Sequence, residues 1–396
     1  MSPIRYFFND SRAVGVLLIV CTILSLGLSN LSWGSAYQHF WNRELTGGFS
    51  KLPGSPLHWI NDFLMSFFFL LAGMEIKREL LAGELASFKK AILPFGAALG
   101  GMLVPAVIFV LFNINSGFEK GWGIPTATDI AFSLGVASLL GKRVPVGLKI
   151  LLMAIAIIDD LGAIVVIALF YGNQIHWAFL GLAAVAYGAL WICNIRKMKL
   201  GPVQMVLAAI IWFAMFNSGV EAGIAGVLVA FALPVSMAPL IEKYIHKPVN
   251  FLILPLFALA NTAITIPANF AEAVASPVSR GVLFGLVFGK PIGIYLVSRL
   301  MVGMGVASLP AHTRWSGVLG MGTLAGIGFT MSIFTTSLAF GTESLQNLAK
   351  IAILIAMVGS LVISWIYFTA VSQKMVTKRT EEAIPVLGQG SQVALS

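Results

Sequence analysis

Charge is what this chain has least of. Of its 396 residues 10% are Asp, Glu, Lys or Arg while 58% are hydrophobic, and apolar runs recur from one end to the other. No interval stays polar long enough to build a soluble domain, so 1–396 reads as a single integral membrane domain, with a mean hydropathy of +0.92. Cysteine is nearly missing: Cys21 and Cys193 sit far apart in apolar segments, which excludes a disulfide framework and a thiolate metal cluster. A cleavable leader is not expected either. Arg5, Asp10 and Arg12 precede the first apolar run, but no small-residue cleavage pattern follows, so that run is expected to be retained as the first helix.

Acidic charge is scarcer than basic, and the formal net charge is +9. In a soluble chain that balance would suggest nucleic acid; here Lys and Arg fall in short loops, where they encode orientation, and no nucleic-acid partner is expected. The runs predict about twelve transmembrane helices, near 13–30, 58–80, 91–112, 121–140, 148–171, 177–195, 203–218, 221–236, 249–267, 281–301, 316–340 and 347–371. With the N-terminus inside, 19 of the 25 basic residues fall on the cytoplasmic side and five outside, leaving Lys290 on neither. Both termini are therefore expected in the cytoplasm, with 375–396 as a flexible tail.

What charge there is within the spans is concentrated. Asp159 and Asp160 stand together in the middle of an apolar run, where two ionised carboxylates cost about 5 to 7 kcal/mol on insertion scales. Asp129 lies on the preceding span and Lys290 on the tenth, within Gly289-Lys290-Pro291. Adjacent helical positions point about 100° apart, so the two aspartates are expected to have separate duties, one pairing with Lys290 and the other open to water. A carboxylate in a partly dry cavity holds a proton or a small hard cation, and competition at one such site is already exchange.

Two spans carry helix-interrupting residues at membrane depth. Pro125-Thr126-Ala127-Thr128-Asp129 breaks the fourth, and glycines at 317, 320, 322, 326 and 328 punctuate the eleventh before Phe329-Thr330-Met331-Ser332. Interrupted segments in both halves of a membrane chain point to a transporter's binding site.

At these residues the chain resembles the NhaA family of bacterial sodium/proton antiporters, along nearly its whole length. The stretches that carry the likeness are Trp59-Ile60-Asn61-Asp62, Glu75-Ile76-Lys77-Arg78-Glu79-Leu80, Ala127-Thr128-Asp129-Ile130-Ala131-Phe132, Ile157-Ile158-Asp159-Asp160-Leu161-Gly162-Ala163, Leu254-Pro255-Leu256-Phe257-Ala258, Gly289-Lys290-Pro291 and Gly326-Ile327-Gly328-Phe329-Thr330-Met331-Ser332. The resemblance implies an all-α polytopic membrane protein of twelve helices, in which an inverted repeat relates spans three to five with ten to twelve. Two interrupted helices would cross at mid-membrane, and a smaller panel would carry a dimer contact. It implies an electrogenic antiporter in the bacterial inner membrane that expels Na+ or Li+ for external protons, with pH-dependent activity and no cofactor.

Carried over by residue, Asp160 would be the principal cation and proton carboxylate, and Asp159 its neighbour paired with Lys290. Thr128 would offer a hydroxyl oxygen, and Asp129 would compensate the helix ends at the crossing. Glu75, Arg78, Glu79, Glu242 and His246 would form a cytoplasmic pH-regulating cluster. A hairpin over 45–52 would join two protomers. The chain departs from the family pattern at Glu221 and Lys243, where histidines are usual, which would shift the pH profile; Glu221 is expected near the outer end of its span, solvated and without a transport role. Two other readings compete. A sodium-coupled organic-solute symporter would need groups for an organic anion, which the sequence does not show, and an intramembrane aspartyl protease would need the absent Gly-x-Gly-Asp signature.

Overall fold

The computed structural model of the chain describes residues 11–45, 51–172, 174–196, 198, 201–310 and 313–388. Helix dominates those residues, with no strand among them. The helices are α1 (Ser11–Ser29), α2 (Gly34–Asn42), α3 (Pro56–Ala82), α4 (Phe88–Asn113), α5 (Ile130–Leu139), α6 (Val146–Phe170), α7 (Trp177–Ile195), α8 (Pro202–Ser218), α9 (Ile224–Ala232), α10 (Val235–Asn261), α11 (Phe270–Ala275), α12 (Pro277–Gly303), α13 (Trp315–Ala325), α14 (Phe329–Ala339) and α15 (Glu343–Gly388). Each of the twelve expected spans falls on one of these or on a pair of segments. Among the described residues six helices are long and apolar enough to cross a membrane outright, and nine spans result if each sharply bent pair counts as one.

The expected break in the fourth span separates a 3-10 segment, Glu119–Thr126, from α5, and the break in the eleventh separates α13 from α14 with a bend of 50°. The two breaks meet. The amide of Asp129 donates to Ile327 O at 2.8 Å, the hydroxyl of Ser133 to Leu324 O at 2.8 Å, and that of Ser332 to Ile124 O at 2.7 Å. Each interruption thus satisfies backbone groups that the other leaves open, which is the condition for unwound chain at membrane depth. Gly328 makes the approach possible, since a Cβ there would lie 2.6 Å from Ala127 O.

Packing around the crossing brings the third and tenth spans together. The helix carrying Lys290, α12, lies against α4 through facing glycines: a Cβ on Gly293 would come within 2.1 Å of Gly100 O. On the other side α3 packs on α9, and α7 on α8. Lys77 of α3 donates to the carbonyls of Ala230, Phe231 and Leu233, closing the C-terminal end of α9.

Two boundaries differ from expectation. The ninth span ends at Asn261 rather than near 267, because Asn261 and Thr262 turn their side chains back onto the carbonyls of Phe257 and Ala258. It also begins earlier, with α9 and α10 bent by 107° around Pro234. Most of the 45–52 hairpin lies outside the described residues; at its base Leu45 N donates to Gly54 O at 2.9 Å. The 375–396 segment begins on α15 and ends outside the described residues.

Candidate ion-exchange site

The 100° between neighbouring helical residues has the consequence expected of it. Asp159 points into the protein, where Lys290 Nζ lies 2.8 Å from its Oδ2 and both side chains are 0% exposed. Thr128 Oγ1 is 2.7 Å from the same oxygen and 3.0 Å from Ala325 O; having one proton, it serves one acceptor at a time and keeps lone-pair capacity for a cation. Lys290 also donates to Thr126 O at the end of the 3-10 segment, so the cation sits where a helical C-terminus gathers negative potential.

Asp160 faces the other way, into a cavity of about 590 Å³ that reaches the protein surface beside Arg78, Glu79 and Lys247. Only 5% of it is exposed, and its Oδ1, like that of Asp159, has no hydrogen-bond partner among the described residues. The carboxylates of Asp129, Asp159 and Glu75 and the ammonium of Lys290 all act on its charge. Asp160 is therefore the open carboxylate at the deep end of a one-sided cavity.

Asp129 caps two helices at once. Its Oδ1 accepts from Phe132 N at 3.0 Å, and its Oδ2 from Thr330 N at 3.1 Å and Thr330 Oγ1 at 2.6 Å, so a single carboxylate answers the N-termini of α5 and α14. None of these bonds reaches Asp160, so the two aspartates form no hydrogen-bonded dyad. Thr330 is a participant that received no role from the sequence. Its hydroxyl stood beside the expected break, but its partner is 201 residues away.

The rim residues also converge. Arg78 Nη1 donates to Oε1 and Oε2 of Glu242 at 2.6 and 2.7 Å, its Nε lies 3.9 Å from Glu79, and Glu79 accepts the amide of Glu84. His246 lies within 3.1 Å of Asn250 Nδ2, and Glu75, Arg78, Glu79 and His246 line the cavity. Lys243 stands apart, over the ring of Tyr244.

Glu221 is not solvated as expected. It lies in the turn between α8 and α9, partly buried, with Oε1 accepting from Gly223 N at 3.3 Å. Burial, and then the neighbouring Asp62 carboxylate, push it up to about 8. Three buried rings also meet outside the cavity lining: Phe334 of α14 lies 5.4 Å from Phe69 of α3 and 6.5 Å from Phe257 of α10.

A polytopic helical chain with two interrupted spans crossing at buried, oppositely charged residues, and a cavity that reaches them from one side, is a secondary active transporter of ions and not an enzyme. A family model described as Na+/H+ antiporter 1 matches residues 5–368. The chain belongs to that family. It is similar to proteins described as Na(+)/H(+) antiporter NhaA from Dechloromonas aromatica (48% identical, covering 91% of this chain and 95% of the relative), Flavobacterium psychrophilum (45%, covering 89% and 92%) and Escherichia coli O1:K1 / APEC (43%, covering 92% and 98%).

Proposed function

We propose that this chain is an electrogenic exchanger of the bacterial inner membrane, expelling cytoplasmic Na+ or Li+ for external protons by alternating access. The observation that carries the reading is the division of labour at the aspartate pair: Asp159 is neutralised by Lys290, while Asp160 is left open at the end of the cavity. Asp160 binds a proton or a cation in turn, with Asp159 and Thr128 supplying further oxygens when the cation enters. A cation drawing on Asp159 competes with Lys290 for it, so the lysine can release a second proton, which makes the cycle electrogenic. One net charge per cycle would draw about 2.3 kcal/mol from each 100 mV of membrane potential. Asp129 keeps the crossing electrically balanced throughout.

Both termini are assigned to the cytoplasm, with 375–396 as a tail, so the cavity opens inward. Glu75, Arg78, Glu79, Glu242 and His246 at its rim are assigned to pH regulation, and the 45–52 hairpin to a homodimer contact. The test uses reconstituted vesicles holding a pH gradient, with Na+, Li+ or K+ added across a pH series. Collapse by Na+ and Li+ but not K+, abolished in Asp160→Asn, supports exchange. A gradient untouched by folded protein at every pH defeats it.

A further inference from the structure

Glu75 has features that set it apart from the other acids of the rim. It lies on the stripe of α3 formed by Phe68, Leu71, Ala72, Glu75, Arg78 and Glu79, spaced three and four apart so that all face the cavity. Glu242 and Glu79 have partners there, the first holding Arg78 by both oxygens and the second taking a backbone amide. Glu75 makes no hydrogen bond or ion pair among the described residues, although it is only partly exposed. A residue serving only to balance rim charge would be expected to share Arg78, as its neighbours do. An unmatched carboxylate in a half-dry cavity is costly unless it takes up a proton or a mobile cation visits it, and in a cation's pathway the two compete for it.

Deeper in the same cavity lies the unpartnered, 95%-buried carboxylate of Asp160, near enough for the two charges to act on each other. The walls contributed by Phe68, Leu71, Met153 and Ile157 are apolar, so a cation moving inward would leave water some distance before it reached Asp160. No three His, Cys, Asp or Glu side chains converge closely enough to hold a stripped metal ion among the described residues. A cation pausing here would keep part of its water shell.

We propose that Glu75 is a loading station for the transported cation, where a partly hydrated Na+ rests before its last step onto Asp160. The station deepens the exchange reading and rests on it. It places Glu75 on the cation's route, where removing its charge weakens capture without touching the exchange step. The test compares wild type, Glu75→Gln and Glu75→Asp as full chains in proteoliposomes, at a pH where exchange is maximal for each. Glu75→Gln is expected to raise the KM for Na+ about fivefold to tenfold with the maximal rate kept within about twofold, as for loss of one charge from a partly solvated site. Glu75→Asp, which keeps the charge, should recover most of the affinity. An unchanged KM overturns the proposal, and with a shifted activation pH it would leave Glu75 a role in pH regulation alone. A fall in maximal rate alone overturns it as well. If Glu75→Gln does not yield folded protein, Glu75→Ala takes its place, and the same rise in KM is required of it. Wild type that moves no protons in response to Na+ defeats the exchange reading itself, and the station with it.

Discussion

Lys290 and Asp159 are both sealed from solvent, so neither charge is tolerable alone. Removing one partner from such a pair typically costs about 3 to 5 kcal/mol, whereas replacing both with neutral groups of similar size costs much less. Lys290→Met and Asp159→Asn are each expected to lower the Tm of the detergent-solubilised protein, and the double variant to recover most of the loss. Equal and additive losses would show that the pair does not hold in solution. Glu221 supports a second expectation, with the opposite dependence on ionisation. A carboxyl held at about 8 when folded, against an ordinary 4.5, adds stability that is complete below the lower value and is lost as pH rises through the upper one. Tm should therefore fall from about pH 5 to about pH 8 and level off above it, and the slope should flatten in Glu221→Gln. A slope unchanged in the variant would assign the loss to another group. Much of this was legible at single residues: the position of Asp159, Asp160 and Lys290 in apolar runs required partners, and helical spacing split the aspartates. The surroundings of Glu221 were not legible, because its neighbour Asp62 lies on a helix more than 150 positions earlier.

At the scale of elements the fold depends on two broken spans completing each other's backbone. Gly328 is the point of closest approach, where a methyl group would meet Ala127 O and Ser332 Oγ at 2.6 Å. Gly328→Ala is expected to abolish exchange and lower Tm by several degrees, while Gly341→Ala, with nothing within 4 Å of its added Cβ, should leave both unchanged. If Gly328→Ala exchanged normally, the crossing would be looser than its hydrogen bonds imply. The breaks themselves could be read from Pro125 and the run of glycines. The π-helical segments Trp59–Leu64, Val249–Ile253 and Gly285–Gly289 could not, since one extra residue in a turn leaves an apolar run looking the same. Nor could the 107° bend before α10, which the apolar pattern on either side of Pro234 conceals.

Across the whole molecule the cavity runs from Arg78, Glu79 and Lys247 to Asp160, and outside its lining Phe334 rests against Phe69 and Phe257. Phe334→Ala should raise passive proton or Na+ leak in proteoliposomes lacking a counter-ion, and Phe334→Leu, which keeps most of the bulk, should stay tight. Leak equal in both variants and wild type would place the outer barrier elsewhere. That barrier has a meaning for a cell with no sodium to expel. If the variants leak as expected, the rings present hydrocarbon to an ion on that path, and an idle copy behaves as an insulator. A bacterium can then keep many copies waiting without letting its own membrane run down.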